Sequence, residues 1–174
     1  MVMPVGPLMK EHRLIEQMIG LMSARVKAAE LSGHIDPLFV DAAVDFIRIY
    51  ADRLHHGKEE AILFRDLDAK PLTAEHRQTM EQLTEEHVYG RDLVQALVEA
   101  RVAYAQGGPL ADVLDNLRLL VEFYLRHIAV EDKQFFLPVM GYFDAAEQQR
   151  MLNEFRTVDE HMIHDKYRSV VEAW

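Results

Sequence analysis

Apolar positions recur at steps of three and four along most of this chain, and no stretch alternates strictly between apolar and polar. That periodicity marks helices with one buried face. Leu8, Ile15, Ile19, Met22 and Val26 share such a face near the start, and Met151, Phe155, Val158, Met162 and Val170 share another near the end. Glycine, proline and other turn formers cluster at residues 4–7, 31–37, 68–73, 105–110 and 137–144. Asp36, Thr73 and Asp144 stand where helix N-caps are needed. Helices are therefore predicted at 8–31, 37–67, 73–105, 109–138 and 144–172. Long helices with short loops fold as an antiparallel up-and-down bundle. The expected fold is all-α and a single domain over 1–174, with a four-helix bundle at 8–138 and an additional C-terminal helix along its side or end.

Histidines break the apolar stripes. His12 falls between Leu8 and Ile15, His87 follows Leu83, and His127 lies beyond Leu120 and Tyr124. On the second helix, stepping back from His55 along one face gives Ala51, Ile47 and Val44. Singly, each reads as a hydrogen-bonded core residue. Their heights change that reading. With loop centres near 34, 70 and 108, each histidine and its partner on the next helix lie equally far from the loop between them, to within two residues. At 1.5 Å per residue the mismatch is roughly 3 Å. An antiparallel bundle thus brings His12, His55, His87 and His127 to one level.

Glu59 follows His55 by four residues and Glu131 follows His127 by four, so each pair shares a helix face. Crowding imidazoles and carboxylates in a core is costly unless a cation compensates. Four imidazoles and two carboxylates suit a transition metal, and two glutamates can bridge two ions. The chain also repeats itself. The stretch from His55 to Phe64 matches that from His127 to Phe136, and the surroundings of His12 echo those of His87. Two hairpins, each with one histidine and one His-x-x-x-Glu, would make a site with pseudo-twofold symmetry.

The 174 residues have room for a substantial core. Apolar residues make up 49% and charged residues 28%, a globular composition. A net charge of −10 disfavours a nucleic-acid partner and a polybasic membrane anchor. With no cysteine, thiolate sites, iron–sulfur clusters and disulfides are excluded. Neither a signal peptide nor a membrane-length apolar run is visible, so a cytoplasmic protein is expected.

His12, HHGKEE (55–60) with Leu63 and Phe64, EEHVYGR (85–91), and His127-IAVE-Asp132 with FFLP (135–138) resemble the hemerythrin family, in particular its HHE cation-binding branch. The resemblance implies a four-helix bundle around two non-haem, carboxylate-bridged iron ions, with manganese or zinc as substitutes. It implies His12, His55, Glu59, His87, His127 and Glu131 as ligands. Oxygen-carrying hemerythrins resemble this pattern but add a second histidine one turn after the first on helix 3, where Arg91 stands here beside Gly90. The last acid also follows its histidine by four residues rather than five. One ion is then a ligand short, to be completed by water, Glu16 or Tyr124. Gly90 leaves room above the metal or serves packing.

Regular helical phase puts His56 on the polar face with Asp52 and Asp45, so His56 and Glu60 are expected at the helix flank as supporting or solvated residues. On that reading His56→Ala keeps its metal. His161 is level with the site and is a further supporting candidate, whereas His34, His76 and His164 are expected in solvent. Three functions compete: a di-iron protein that binds or senses O2, NO or iron, an enzyme acting on peroxide or NO-derived species, and an interaction module with a structural metal. A ferritin-like oxidase is disfavoured because no glutamate stands three residues before a histidine. A monomer and a homodimer are equally compatible with the sequence.

Overall fold

The computed structural model describes residues 3–172, with side chains described as far as residue 162. The described residues are helical apart from short connections and contain no strand. Helix α1 is Val5–Ser32, α2 spans 37–68, α3 is Ala74–Ala105, α4 spans 110–139 and α5 is Ala145–Glu172. These lie close to the predicted segments. The largest shift is at α1, which starts earlier because Pro7 is tolerated in a first turn, where the missing N–H has no acceptor to lose. Val170 and His164 lie outside the described side chains.

The expected caps close the helix ends. Asp36 accepts from the Leu38 N–H at 2.9 Å and Thr73 from the His76 N–H at 3.2 Å. Asp144 and Glu147 form a reciprocal capping box, each carboxylate accepting from the other residue's N–H. Gly33 ends α1 at φ 72°, a left-handed conformation that favours glycine, and its N–H bonds back to the Ala29 carbonyl.

Helices α2 and α4 are not uniform. Ile47–His56 and Glu59–Phe64 in α2, and Glu131–Phe135 in α4, are π-helical. The wider i→i+5 turn rotates the chain less per residue than an α turn. Adjacent side chains therefore point in more similar directions, and His55 and His56 are both buried. This corrects the expectation that His56 lies at the flank, which assumed regular α phase. Two of the π turns begin at Glu59 and Glu131, so the internal repeat extends to the backbone.

Helix α1 packs against α2 and α4, α3 packs against α2 and α4, and α5 lies on α2. Two apolar clusters result. One includes Ile15, Ile19, Val44, Leu97, Leu117 and Ile128, and the other includes Leu8, Leu63, Phe135, Phe136, Met151 and Phe155. Along each helix the buried histidines and glutamates fall at or next to the change from one cluster to the other. On α5, Met151 and Phe155 join the core as expected, while Val158 is only partly buried.

Gly90 sits where α3 and α4 approach closely. A Cβ there would stand 2.9 Å from the Phe123 ring, while Gly20 on α1 has open space around it. Gly20→Ala is expected to raise stability by up to about 1 kcal/mol through helix propensity alone. In Gly90→Ala the same gain is opposed by overpacking of about 1–3 kcal/mol, giving a net loss. Denaturation midpoints measure both, and equal stabilisation by the two substitutions would contradict this packing.

Candidate metal centre

Five buried imidazoles meet two buried carboxylates at mid-bundle. His12 comes from α1, His55 and His56 from α2, His87 from α3 and His127 from α4, with Glu59 and Glu131 between them. His12, His55, Glu59 and Glu131 form one group, and His56, Glu59, His87 and His127 form a second. Within each group one ligand atom per residue lies within 4.8 Å of the others.

The carboxylates span the two groups. Glu59 Oε1 is 3.3 Å from His55 Nε2, and its Oε2 is 3.4 Å from His87 Nε2. Glu131 Oε2 is 3.1 Å from His12 Nε2, and its Oε1 is 3.3 Å from His127 Nε2. None of these contacts has hydrogen-bond geometry, so five Nε2 atoms and four carboxylate oxygens are buried and unpartnered. Unmet buried polar atoms are costly and rare. Here nine share one volume. With metal–ligand bonds of about 2.1 Å, neighbouring donors around one ion stand about 3 Å apart, which is the spacing observed. The donor set fits transition-metal cations.

Each imidazole is fixed from behind by an acid. Nδ1 of His12 meets Asp132 at 2.7 Å, His55 meets Glu11 at 3.0 Å and His56 meets Asp52 at 3.3 Å. His87 meets Glu60 and His127 meets Glu86, both at 2.8 Å. An ionised carboxylate only accepts, so Nδ1 carries an N–H and Nε2 points inward, where it is a metal donor once it holds no proton, the arrangement that orients metal-binding histidines. A third layer holds the acids. Arg13 pairs with Asp132, Lys58 Nζ meets Glu11 at 2.6 Å, and Gln82 bonds Glu86 at 2.8 Å. Arg91 spans Asp52 at 2.9 Å and Glu60 at 2.7 Å. Lys58 is fully buried and also pairs with Asp159 on α5, so the fifth helix is tied to the site.

Aromatic rings seal the edges. Phe136 stacks on His12, Phe64 on His87 and Phe123 on His127, at centroid separations of 5.5, 5.9 and 5.2 Å. On one side a cavity of about 190 Å³ runs between α2, α3 and α4, with His56, His87 and Tyr124 in its wall.

The other candidates fall as follows. Glu60 supports His87, and Tyr124 lies beside His56 with ring centroids 6.2 Å apart. Burial pushes the Tyr124 hydroxyl above its ordinary value, so it stays neutral. Glu16 turns outward to Arg13 at 3.1 Å, and His161 is exposed, so neither joins the cluster. His34 is exposed as expected, but His76 is half-buried and bonds Tyr142 at 2.8 Å. The supporting roles of Glu11, Asp52, Glu86 and Lys58 were not foreseen. A usable signal existed: glutamate directly precedes both His12 and His87 in the internal repeat.

Charge is balanced in the metal-free protein by protons. Burial opposes ionisation of Glu59 and Glu131, but the histidines hold Glu59 well below the carboxylate range and Glu131 at about 2. Burial likewise opposes charge on His55 and His87, yet the facing glutamates raise them to about 10 and about 11. For His56, burial and the neighbouring imidazoles act together, and its pKa falls well below the usual range. Burial would raise Glu11, Asp52 and Glu60, but bonds from His55, His56 and His87 with Lys58 or Arg91 hold them low.

A family model, the hemerythrin HHE cation-binding domain, matches residues 3–137. Helical fold, buried histidine–glutamate cluster and sequence together define a cation-binding helical protein. The chain belongs to the hemerythrin HHE cation-binding domain family. No curated protein and no solved structure matches it. Among the described residues no helix is long and apolar enough to cross a membrane.

Because His55 and His87 keep their protons up to about pH 10 and about 11, an incoming cation displaces protons at neutral pH. Cation uptake is expected to release protons, and apparent affinity to rise with pH through that range. Calorimetry in buffers of different ionisation enthalpy measures the release; none at all would contradict this charge state.

Proposed function

We propose that this chain is an up-and-down four-helix bundle with an added C-terminal helix, holding a non-haem di-iron centre that binds or senses O2, NO or iron. His12 and His55 would hold one ion, and His56, His87 and His127 the other, with Glu59 and Glu131 bridging both. This adds His56 to the six ligands implied by sequence resemblance. The observation that carries the reading is the set of nine unpartnered buried donor atoms divided between two groups that share Glu59. A single structural zinc closes with about four ligands, and seven converging residues exceed that.

The histidine that oxygen carriers place on helix 3 has a functional substitute here. Arg91 occupies that position, and His56, reaching in from α2, supplies the imidazole. Its ring lies parallel to that of His87 at 3.9 Å. Iron in such a site supplies redox change and open coordination positions for a small ligand. The chain's own residues supply the rest. Five carboxylates orient the imidazoles, Phe64, Phe123 and Phe136 limit water, and neutral Tyr124 flanks the cavity.

Protein purified without oxygen should contain about two irons per chain and gain a near-ultraviolet and visible band on exposure to oxygen. Zinc alone, or no metal, overturns the reading. His56→Ala is expected to lose at least one ion while Glu16→Ala and His161→Ala keep both, read by metal analysis. Full iron in His56→Ala would remove that residue from the ligand set.

A further inference from the structure

We propose that the cavity between α2, α3 and α4 binds a small organic anion, a carboxylate on an apolar body about the size of a benzene ring. The proposal rests on the reading of His56 and His87 as metal ligands, because it places the anion beside them. The cavity measures about 190 Å³. An apolar cavity of about 150 Å³ accommodates benzene, and a diatomic gas needs far less, so passage of a gas alone does not explain this volume.

The lining gives the ligand's chemistry. Ile47 and Val94 are buried apolar walls, Tyr124 presents a ring, and Gly90 leaves its stretch of wall without a side chain. Arg48, Asp52 and Arg91 complete the lining toward the exposed side. The lining holds two arginines, Arg48 and Arg91, against the one carboxylate of Asp52, and Arg91 is shared between Asp52 and Glu60, which is not in the lining. Arg48 bonds the uncharged side-chain oxygen of Gln95 at 3.2 Å and keeps its positive charge. In a chain of net charge −10, a cation at the rim is what admits an anion locally.

The internal repeat isolates this feature. Across the pseudo-twofold axis Gly90 corresponds to Ile15 and His56 to Ile128. Ile15 and Ile128 are buried members of the apolar cluster, filling the side that the cavity leaves open. The hollow is thus specific to one half of the repeat.

The test uses the full chain loaded with iron and titrates it with benzoate, toluene and acetate by calorimetry. Benzoate should bind saturably at one site and more tightly than either toluene or acetate. Val94→Phe, which fills the cavity, should abolish binding. Arg48→Gln, an exposed position whose change leaves the fold intact, should weaken it about tenfold. Toluene equal to or better than benzoate, acetate equal to benzoate, or unchanged binding in either variant overturns the site. Metal content measured on the same samples separates the two readings. Full iron without benzoate binding overturns this proposal alone, whereas absence of iron overturns the centre and, with it, an anion site beside metal ligands.

Discussion

Two carboxylates removed from water and set a few ångströms apart repel each other, and each alone carries a desolvation cost of several kcal/mol. Glu59 and Glu131 are both fully buried, so the interior around them has to supply positive charge. Imidazoles do this without fixing the charge in advance. His55 and His87 carry protons when no cation is present, and when a cation arrives they give up protons and offer lone pairs. The same seven residues can therefore offset part of the carboxylate charge with protons in one state and act as a donor set in the other. This exchange explains why histidine rather than lysine or arginine faces the two glutamates.

That arrangement works only if the imidazoles cannot turn away. Each Nδ1 is held by a carboxylate, and most of those carboxylates are held in turn by a cationic side chain. Charge alternates outward from the centre to the surface. Lys58 shows how far the requirement reaches. Its buried ammonium meets Glu11 on α1 and Asp159 on α5, and it lies 5.8 Å from the centre of the Phe155 ring. The fifth helix thus takes part in positioning His55, although it contributes no residue to the cluster.

Helix positions, caps and the level of the four histidines were legible because they depend on composition and on 1.5 Å per residue, both of which sequence carries directly. His56 was not legible, because its direction depends on a π-helical stretch that local sequence does not announce. The outer acids were hidden for another reason. Glu86 and Glu11 sit on helix edges, where an acid facing water and an acid facing a neighbouring helix look alike in one dimension. Gly90 was open between two explanations, and the structure supports both, since it admits the Phe123 ring and lines the cavity.

The departures from twofold symmetry are the informative part of the repeat. Positions that orient ligands are matched between halves: Glu11 with Glu86, Glu60 with Asp132, and Phe64 with Phe136. Positions that differ gather on one side, where His56, Gly90 and Arg91 stand opposite Ile128, Ile15 and Glu16. The Gly90 exchange is linked by size to a further one, since Gly90 faces Phe123 while their counterparts are Ile15 and Ala51. A symmetric pair of hairpins would present two identical sets of donors. In the proposed centre the exchanges give three imidazoles to one ion and two to the other, and they place the hollow beside the first. An ion with fewer imidazoles has more open positions, while the ion with three borders the cavity. The two ions would then differ both in what they can bind and in what can reach them.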